Sequence, residues 1–331
     1  MEMIERPTLA IVGAGRVGST LAQVLHNRGY TISAVNSRTP ESARHLAEKL
    51  GCHAADTPRE AALEARLTLL TVTDEAIASV CEVLARDTDL TGRAVVHTSG
   101  ISEIAVLAAA KASGAWVGGL HPMLPIMDRD LSPSLAFSPP SATPDVMFGV
   151  EAAEEPLRSW LAAIVTTLNG IPLWLSPGQD RARYHAASVI ASNYAVTLFA
   201  ESLTLLKRLQ ASKPKGQSDQ LGQQSKLGVE SSYGESGEVD ERLLRFALVH
   251  LVQATLTNIK EVGAVQALTG PIARGDVQTV HKHLVALQQT DPELATLYRL
   301  LGKRTLRLAA ERGLSAQKLD GILKNLETDT P

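Results

Sequence analysis

Leu9-Ala10-Ile11-Val12-Gly13-Ala14-Gly15-Arg16-Val17-Gly18 constrains the fold of this chain more than any other stretch. A short apolar run feeds a G-x-G-x-x-G turn, and a helical pattern follows from Ser19 to Arg28. Gly13 permits a tight turn, Gly15 lets backbone approach a pyrophosphate, and Gly18 lets helix pack closely on strand. The free N–H groups and dipole at a helix N-terminus favour an anion. Gly13, Ala14, Gly15, Arg16, Val17 and Gly18 are therefore expected to hold a dinucleotide.

The end of the second strand selects the dinucleotide, since an acid there bonds the ribose hydroxyl of NAD and an Arg accommodates the 2′-phosphate of NADP. Thr31 to Val35 reads as that strand and runs into Asn36-Ser37-Arg38-Thr39, which holds no acid. Ser37 can donate to a phosphate and Arg38 offers a planar charged fork, so NADP (NADPH) is the expected cofactor. In the competing reading Arg38 is a solvated residue opening the next helix, Pro40 to Leu50.

With 331 residues and 44% apolar content the chain can bury two cores, and a net charge of −3 argues against a nucleic-acid surface. A small-molecule partner is expected. The first residues lack the basic and apolar regions of a secretory signal, so the cytoplasm is the expected compartment. Cys52 and Cys81 show no metal-type spacing and read as reduced, structural thiols. Ala186 to Leu206 is apolar enough to suggest a membrane span, but with no companion span it reads as a buried core helix.

Strands at Leu67 to Val72, Arg93 to His97 and Ala115 to Leu120, with a possible short one at His53 to Ala55, alternate with helices at Asp74 to Ala85 and Ser102 to Ser113. That alternation implies an α/β fold, an N-terminal doubly wound parallel sheet of Rossmann type. The last of these strands is expected to stop at His121-Pro122. Residues 128 to 145 read as a Pro- and Ser-rich loop, and Val146 to Val150, Glu154 to Leu168 and Pro172 to Leu175 as a strand, a helix and a strand that extend or edge the sheet. Ser176-Pro177-Gly178 marks a boundary, giving a nucleotide domain over 1–176 and an all-helical domain over 177–331 with a polar insert at 211–237. Substrate is expected in the cleft between them.

Ligands in open α/β sheets sit beyond the carboxyl ends of the strands. Those ends offer Thr71, Val72 and Thr73, then Thr98, Ser99 and Gly100, as cofactor contacts, although capping by Thr73 or Asp74 and an ordinary turn at 98–100 explain them equally well. His121, set extended by Pro122, is a candidate acid or base, against a histidine that only holds its turn. His185, Ser188, Ser192 and Asn193 fall on one stripe of a helix, costly to bury unless paired or lining a cavity. Arg274, in a helix break before the N-cap-like Asp276, is placed either to bind a substrate carboxylate or to hold the turn. His281 and His283 point to different faces, and no metal site is expected.

Gly13 to Gly18, His97-Thr98-Ser99-Gly100, Leu120-His121-Pro122, Tyr184-His185-Ala186-Ala187, Ser192-Asn193-Tyr194 and Thr269-Gly270-Pro271 with Arg274-Gly275-Asp276 together resemble bacterial Rossmann-like proteins with a C-terminal domain of unknown function, DUF2520. That family is related to 6-phosphogluconate dehydrogenase, ketopantoate reductase and pyrroline-5-carboxylate reductase. The resemblance implies an NADP-linked reductase architecture with a helical, often dimer-forming second domain, hence a homodimer. In several of those relatives a Lys on the first long helix of the second domain acts on substrate with a later Asn. Here Arg181 stands in its place and Asn193 is present. Arg does not lose a proton at neutral pH, so proton transfer would fall to His185 or His121. The expected function is an NADP(H)-dependent oxidoreductase moving a hydride to or from a small carbonyl, imine or alcohol. His185 is its preferred acid or base, Asn193 orients substrate, and Arg274 holds an acidic group. A non-catalytic NADP-binding sensor or scaffold is the alternative.

Overall fold

The computed structural model describes residues 6–126, 137, 144–176, 181–211 and 240–328. Eight strands form one sheet: β1 (Leu9–Val12), β2 (Ile32–Asn36), β3 (His53–Ala54), β4 (Leu67–Leu70), β5 (Ala94–His97), β6 (Trp116–Pro122), β7 (Val146–Ala152) and β8 (Gly170–Trp174). Their order is β3-β2-β1-β4-β5-β6-β7-β8. The first six are parallel, β7 runs antiparallel to β6, and β8 is parallel to β7. The six parallel strands follow the doubly wound order, with the reversal between β1 and β4 where such folds bind ligands.

Helices α1 (Arg16–Asn27), α2 (Pro40–Leu50), α3 (Pro58–Leu63), α4 (Ile77–Ala85), α5 (Ala108–Ala112) and α6 (Leu157–Thr167) alternate with the strands. β1, β4 and β5 are buried at every position, as sequence runs without polar alternation require of a sheet covered on both faces. One core joins α1, α2 and α6 to the sheet through residues such as Leu21, Leu46 and Trp160; the other face packs Ile77, Leu84 and Leu107. Prolines at the start of α2 and α3 supply the fixed φ of a first turn, and Thr57 caps α3 by accepting from Glu60 N–H.

The chain divides into two compact units, Met1–Asn193 and Tyr194–Pro331, so that α7 (Arg181–Ala191) groups with the sheet. Among the described residues the second unit is helical: α8 (Asn193–Ala211), α9 (Glu241–Ala267), α10 (Gly270–Arg274), α11 (Val277–Thr290), α12 (Pro292–Glu311) and α13 (Ala316–Glu327). Its core is Ile272, Val280, Leu284, Leu306, Ala309, Ile322 and Leu326. The α/β sheet with a helical C-terminal part is thus the architecture read from the sequence.

Three local expectations change. β6 does not stop at Leu120, because the antiparallel β7 supplies partners that pair His121 with Gly149 and Pro122 with Phe148. The helix expected from Ser102 to Ser113 is instead a 3₁₀ turn at Ile104–Leu107 followed by the short α5. The apolar stretch expected as a buried core helix is not buried: the segment Arg181–Leu209 is long and apolar enough to cross a membrane, and none of its most apolar window is covered. α9 likewise buries no residue. Among the described residues, the apolar faces that suggested a core in the sequence find no covering partner. Most of the Pro- and Ser-rich loop at 128–145 and nearly all of the insert at 211–237 lie outside the described residues.

Candidate functional site

At the end of β1, Gly13 adopts φ +113°, and a Cβ there would lie 2.7 Å from the carbonyl carbon of Thr71. A Cβ on Gly18 would overlap the Gly13 carbonyl oxygen and the Thr71 hydroxyl. Buried Thr71 donates from Oγ1 to Gly13 O at 2.6 Å and to Val12 O at 3.2 Å, so it frames the glycine turn from below. Gly15 differs from both. It is the N-cap of α1, with φ −80° and ψ −167° and no side-chain cap, and a Cβ there would meet nothing within 4 Å. An uncapped helix N-terminus facing open space is the arrangement that a pyrophosphate needs. Gly15 and Arg16 are exposed, Val17 half-buried and Ala14 buried.

β2 ends at buried Asn36, whose amide donates to Ala55 O at 3.0 Å and ties this corner to β3. Beyond it, Ser37 is half-buried and Arg38 is exposed, with no hydrogen bond or ion pair among the described residues. The residues present therefore fit NADP: an open phosphate cradle, no acid after β2, and an uncommitted guanidinium. After β4, Val72 is half-buried and Thr73 exposed. Thr73 occupies the N-cap position of the 3₁₀ turn Asp74–Ala76, yet its hydroxyl makes no cap bond.

The tail of β5 is more tightly engaged than its sequence suggested. Thr98 Oγ1 donates to Leu70 O at 3.3 Å. Ser99 Oγ accepts from the N–H groups of Ile101 and Ser102 at 3.2 and 3.0 Å, which is the turn-holding role. Gly100 has a different use. A Cβ there would lie 2.6 Å from His185 Cδ2 and 2.8 Å from His121 Nε2, so both imidazoles close on the backbone at this strand end.

The two rings stand edge to face with centroids 5.9 Å apart, His121 from β6 and His185 from α7. His121 Nδ1 lies 2.9 Å from Tyr184 Oη, and Tyr184 Oη accepts from Gly149 N–H at 3.0 Å. The phenol O–H has two acceptors within reach, His121 Nδ1 and the His121 carbonyl oxygen at 3.5 Å, while His121 Nε2 faces Gly100. Burial, then the neighbouring His185 and Arg181, push the His121 pKa down to about 4, Asp74 opposing. His121 is therefore a neutral N–H donor at physiological pH. Burial pushes the Tyr184 phenol up, which keeps its proton in place.

Four further residues complete this cluster. Glu151 is the lone acid of apolar β7, and Arg181 opens α7; both are buried, with Nε donating to Oε2 at 3.0 Å. Arg181 Nη1 also donates to Ser99 O at 3.1 Å. His97 is fully buried, accepts from Ser99 N–H at Nδ1 at 3.2 Å, and is held neutral, with burial and Arg181 pushing its pKa to about 3. Tyr184 is the fourth. The signal for Arg181 and Glu151 was readable as an isolated acid within an apolar strand, since a buried charge requires a partner. Nothing in the sequence pairs them across thirty residues.

Of the other expected site residues, Ser188 and Ser192 are half-buried and Asn193 is exposed at the start of α8. The helix breaks between α7 and α8, so the polar stripe is not on one continuous helix. Arg274 belongs to the second unit, exposed at the last position of α10, and Asp276 caps α11 by accepting from Thr279 N–H at 3.0 Å. His53 lies between Glu64 at 2.7 Å and Glu60 at 3.9 Å, with a different ring nitrogen facing each. That is an ion-pair geometry rather than a chelate, and the bond to Glu64 raises the His53 pKa.

Residues 8–100 match the family described as NADP oxidoreductase, coenzyme F420-dependent, and residues 146–305 match the family described as domain of unknown function DUF2520. None of the curated proteins matches the sequence. Among solved structures, Bacteroides fragilis protein BF3122, described provisionally as an NADP oxidoreductase, is 24% identical, with 91% of this chain and 98% of that one covered at a TM-score of 0.63. A pyrroline-5-carboxylate reductase from Coxiella burnetii is 17% identical over 94% of this chain and all of that one, at a TM-score of 0.55. A reductive aminase from Aspergillus terreus, solved with NADPH and ethyl-5-oxohexanoate, is 18% identical over 98% and 93% of the two chains, at a TM-score of 0.54. The chain thus carries an N-terminal segment similar to the NADP oxidoreductase family and a C-terminal segment similar to DUF2520, on the fold these reductases share.

Proposed function

We propose that this protein is an NADPH-dependent oxidoreductase acting on a small carbonyl, imine or alcohol. The observation that carries the proposal is the closure of His121 and His185 on Gly100, at the strand end next to an open glycine-rich cradle in the same sheet. The α1 N-terminus at Gly15 and Arg16 would hold the pyrophosphate, and Ser37 with Arg38 the 2′-phosphate. When bound, the cofactor supplies or accepts a hydride. In this reading His121 Nε2 carries the proton and donates a hydrogen bond to the substrate oxygen or nitrogen, with the ring held in place by Tyr184, which itself accepts from the Gly149 N–H. His185 exchanges the accompanying proton. Asn193 and Arg274 are proposed as substrate contacts. NADPH oxidation with a panel of 2-oxo acids and imines tests the reading.

Arg38→Ala is expected to weaken NADPH binding by about 10- to 100-fold, the worth of one or two charge-assisted hydrogen bonds, while leaving NADH binding nearly unchanged. Fluorescence titration with both cofactors checks this. Equal losses for the two would remove Arg38 from the phosphate site.

The apolar surface of the second unit supports a homodimer. Val196 is 69% and Phe246 60% exposed, and Leu251, Leu256 and Val262 of α9 are exposed as well, apolar side chains that a second copy of the chain would cover. Sedimentation is expected to show a dimer, and Phe246→Glu with Leu256→Glu to shift it toward monomer. A dimer unaffected by both substitutions would place the interface elsewhere.

A further inference from the structure

We propose that the buried Arg181–Glu151 pair is a positioning device for the site, pinning the start of α7 to both β7 and the β5 tail so that His121, Tyr184 and His185 meet at Gly100. The inference rests on the oxidoreductase reading for its kinetic consequence, but not for its structural one. Arg181 is the first residue of the helix that carries Tyr184 and His185, and its guanidinium reaches two strands at once, Glu151 on β7 and the Ser99 carbonyl beyond β5. Ser99 is held at its N–H by His97 and at its hydroxyl by Ile101 and Ser102, so the Arg181 bond completes the fixing of the peptide next to Gly100.

The local sequence makes room for this. Gly119 on β6 faces the guanidinium, where a Cβ would sit 2.5 Å from Arg181 Nη2 and 3.2 Å from His97 Cε1. Gly149 faces Tyr184 in the same way, with a Cβ there 2.5 Å from Oη. Two glycines in neighbouring strands thus open the sheet face on which the start of α7 seats. Arg181 Nη2 is buried and finds no hydrogen-bond partner among the described residues. Geometry of this kind spends stability on placement.

The test replaces both charges together, Glu151→Met with Arg181→Met, because removing one alone leaves an uncompensated buried charge and unfolds the site for trivial reasons, whereas apolar replacement of a buried pair is often neutral. Two readouts are taken: steady-state kinetics, and titration of the His121 ring by NMR on the cofactor-free protein. The groups facing that ring are Tyr184, His185, Arg181, His97 and Asp74. The proposal expects kcat to fall about tenfold or more through misplacement, with the melting temperature and NADPH affinity kept, and the His121 midpoint to move up from about 4. Because loss of the Arg181 charge raises that midpoint by itself, the contacts of the His121 ring with Tyr184 and His185 are read by NOE in the same spectra, and contacts unchanged from the wild type overturn the proposal, whatever happens to kcat. Should the double variant not fold, Gly119→Ala displaces the guanidinium while leaving both charges, and the same contacts decide. If the wild-type protein oxidises NADPH with no substrate, the oxidoreductase reading fails while the ring contacts still judge the positioning role.

Discussion

Gly15→Val is expected to lower NADPH affinity by about 100-fold or more, some 2.7 kcal/mol, while leaving the fold nearly as stable as before. The two halves of that expectation come from different facts. The backbone of Gly15, at φ −80° and ψ −167°, is one that any L-residue adopts, and a Cβ there meets no atom of the described residues within 4 Å. Valine is a poorer N-cap than glycine, so a loss of about 1 kcal/mol or less is the stability cost. The branched side chain would, however, occupy the space through which a pyrophosphate approaches the α1 N-terminus. Gly18→Ala is the counter-case. Its Cβ would overlap the Gly13 carbonyl and Thr71 Oγ1, so there the loss is in stability first, about 1–3 kcal/mol by analogy with overpacked cores. Calorimetry with NADPH titration separates the two. A Gly15→Val protein that binds NADPH normally would show that the open turn is not the cofactor cradle.

His185→Ala is expected to lower kcat by about 10²- to 10⁴-fold with NADPH affinity unchanged, the range general acid–base groups contribute. The argument turns on why His121 does not take this role. Burial and the nearby His185 and Arg181 push His121 to about 4, so at neutral pH it carries no proton to give as imidazolium. Its Nδ1 is already paired with Tyr184 Oη, which leaves Nε2 as the nitrogen that faces Gly100. His185 is half-buried and is the remaining imidazole at Gly100. Activity should accordingly show no limb from His121 above about pH 5, since that ring is neutral throughout the range. A His185→Ala protein with wild-type kcat would transfer the proton step to another group.

The first half of the chain was legible because its strands are short apolar runs, so β1, β4 and β5 and the helix after β1 could be placed from pattern alone, whereas the helix expected after β5 could not. Gly13 and Gly18 carried their packing roles openly. What stayed hidden was pairing across long distances. The antiparallel β7 that extends β6 through Pro122, and the Arg181–Glu151 bond beneath the site, depend on which segments meet in space. His121 and His185 were both identifiable as candidates, but their convergence on Gly100 was not. The apolar helix after α7 misled in a different way: periodicity records that a face needs covering, without recording whether the cover comes from the same chain.

NADPH oxidation by the wild-type protein and by His185→Ala, against a panel of 2-oxo acids and imines, tests the central claim most directly. The account predicts oxidation by the wild-type protein with at least one member of the panel, lost in the variant although NADPH still binds. Tight NADPH binding with no oxidation by either protein across the panel would contradict it and favour a nucleotide sensor or scaffold.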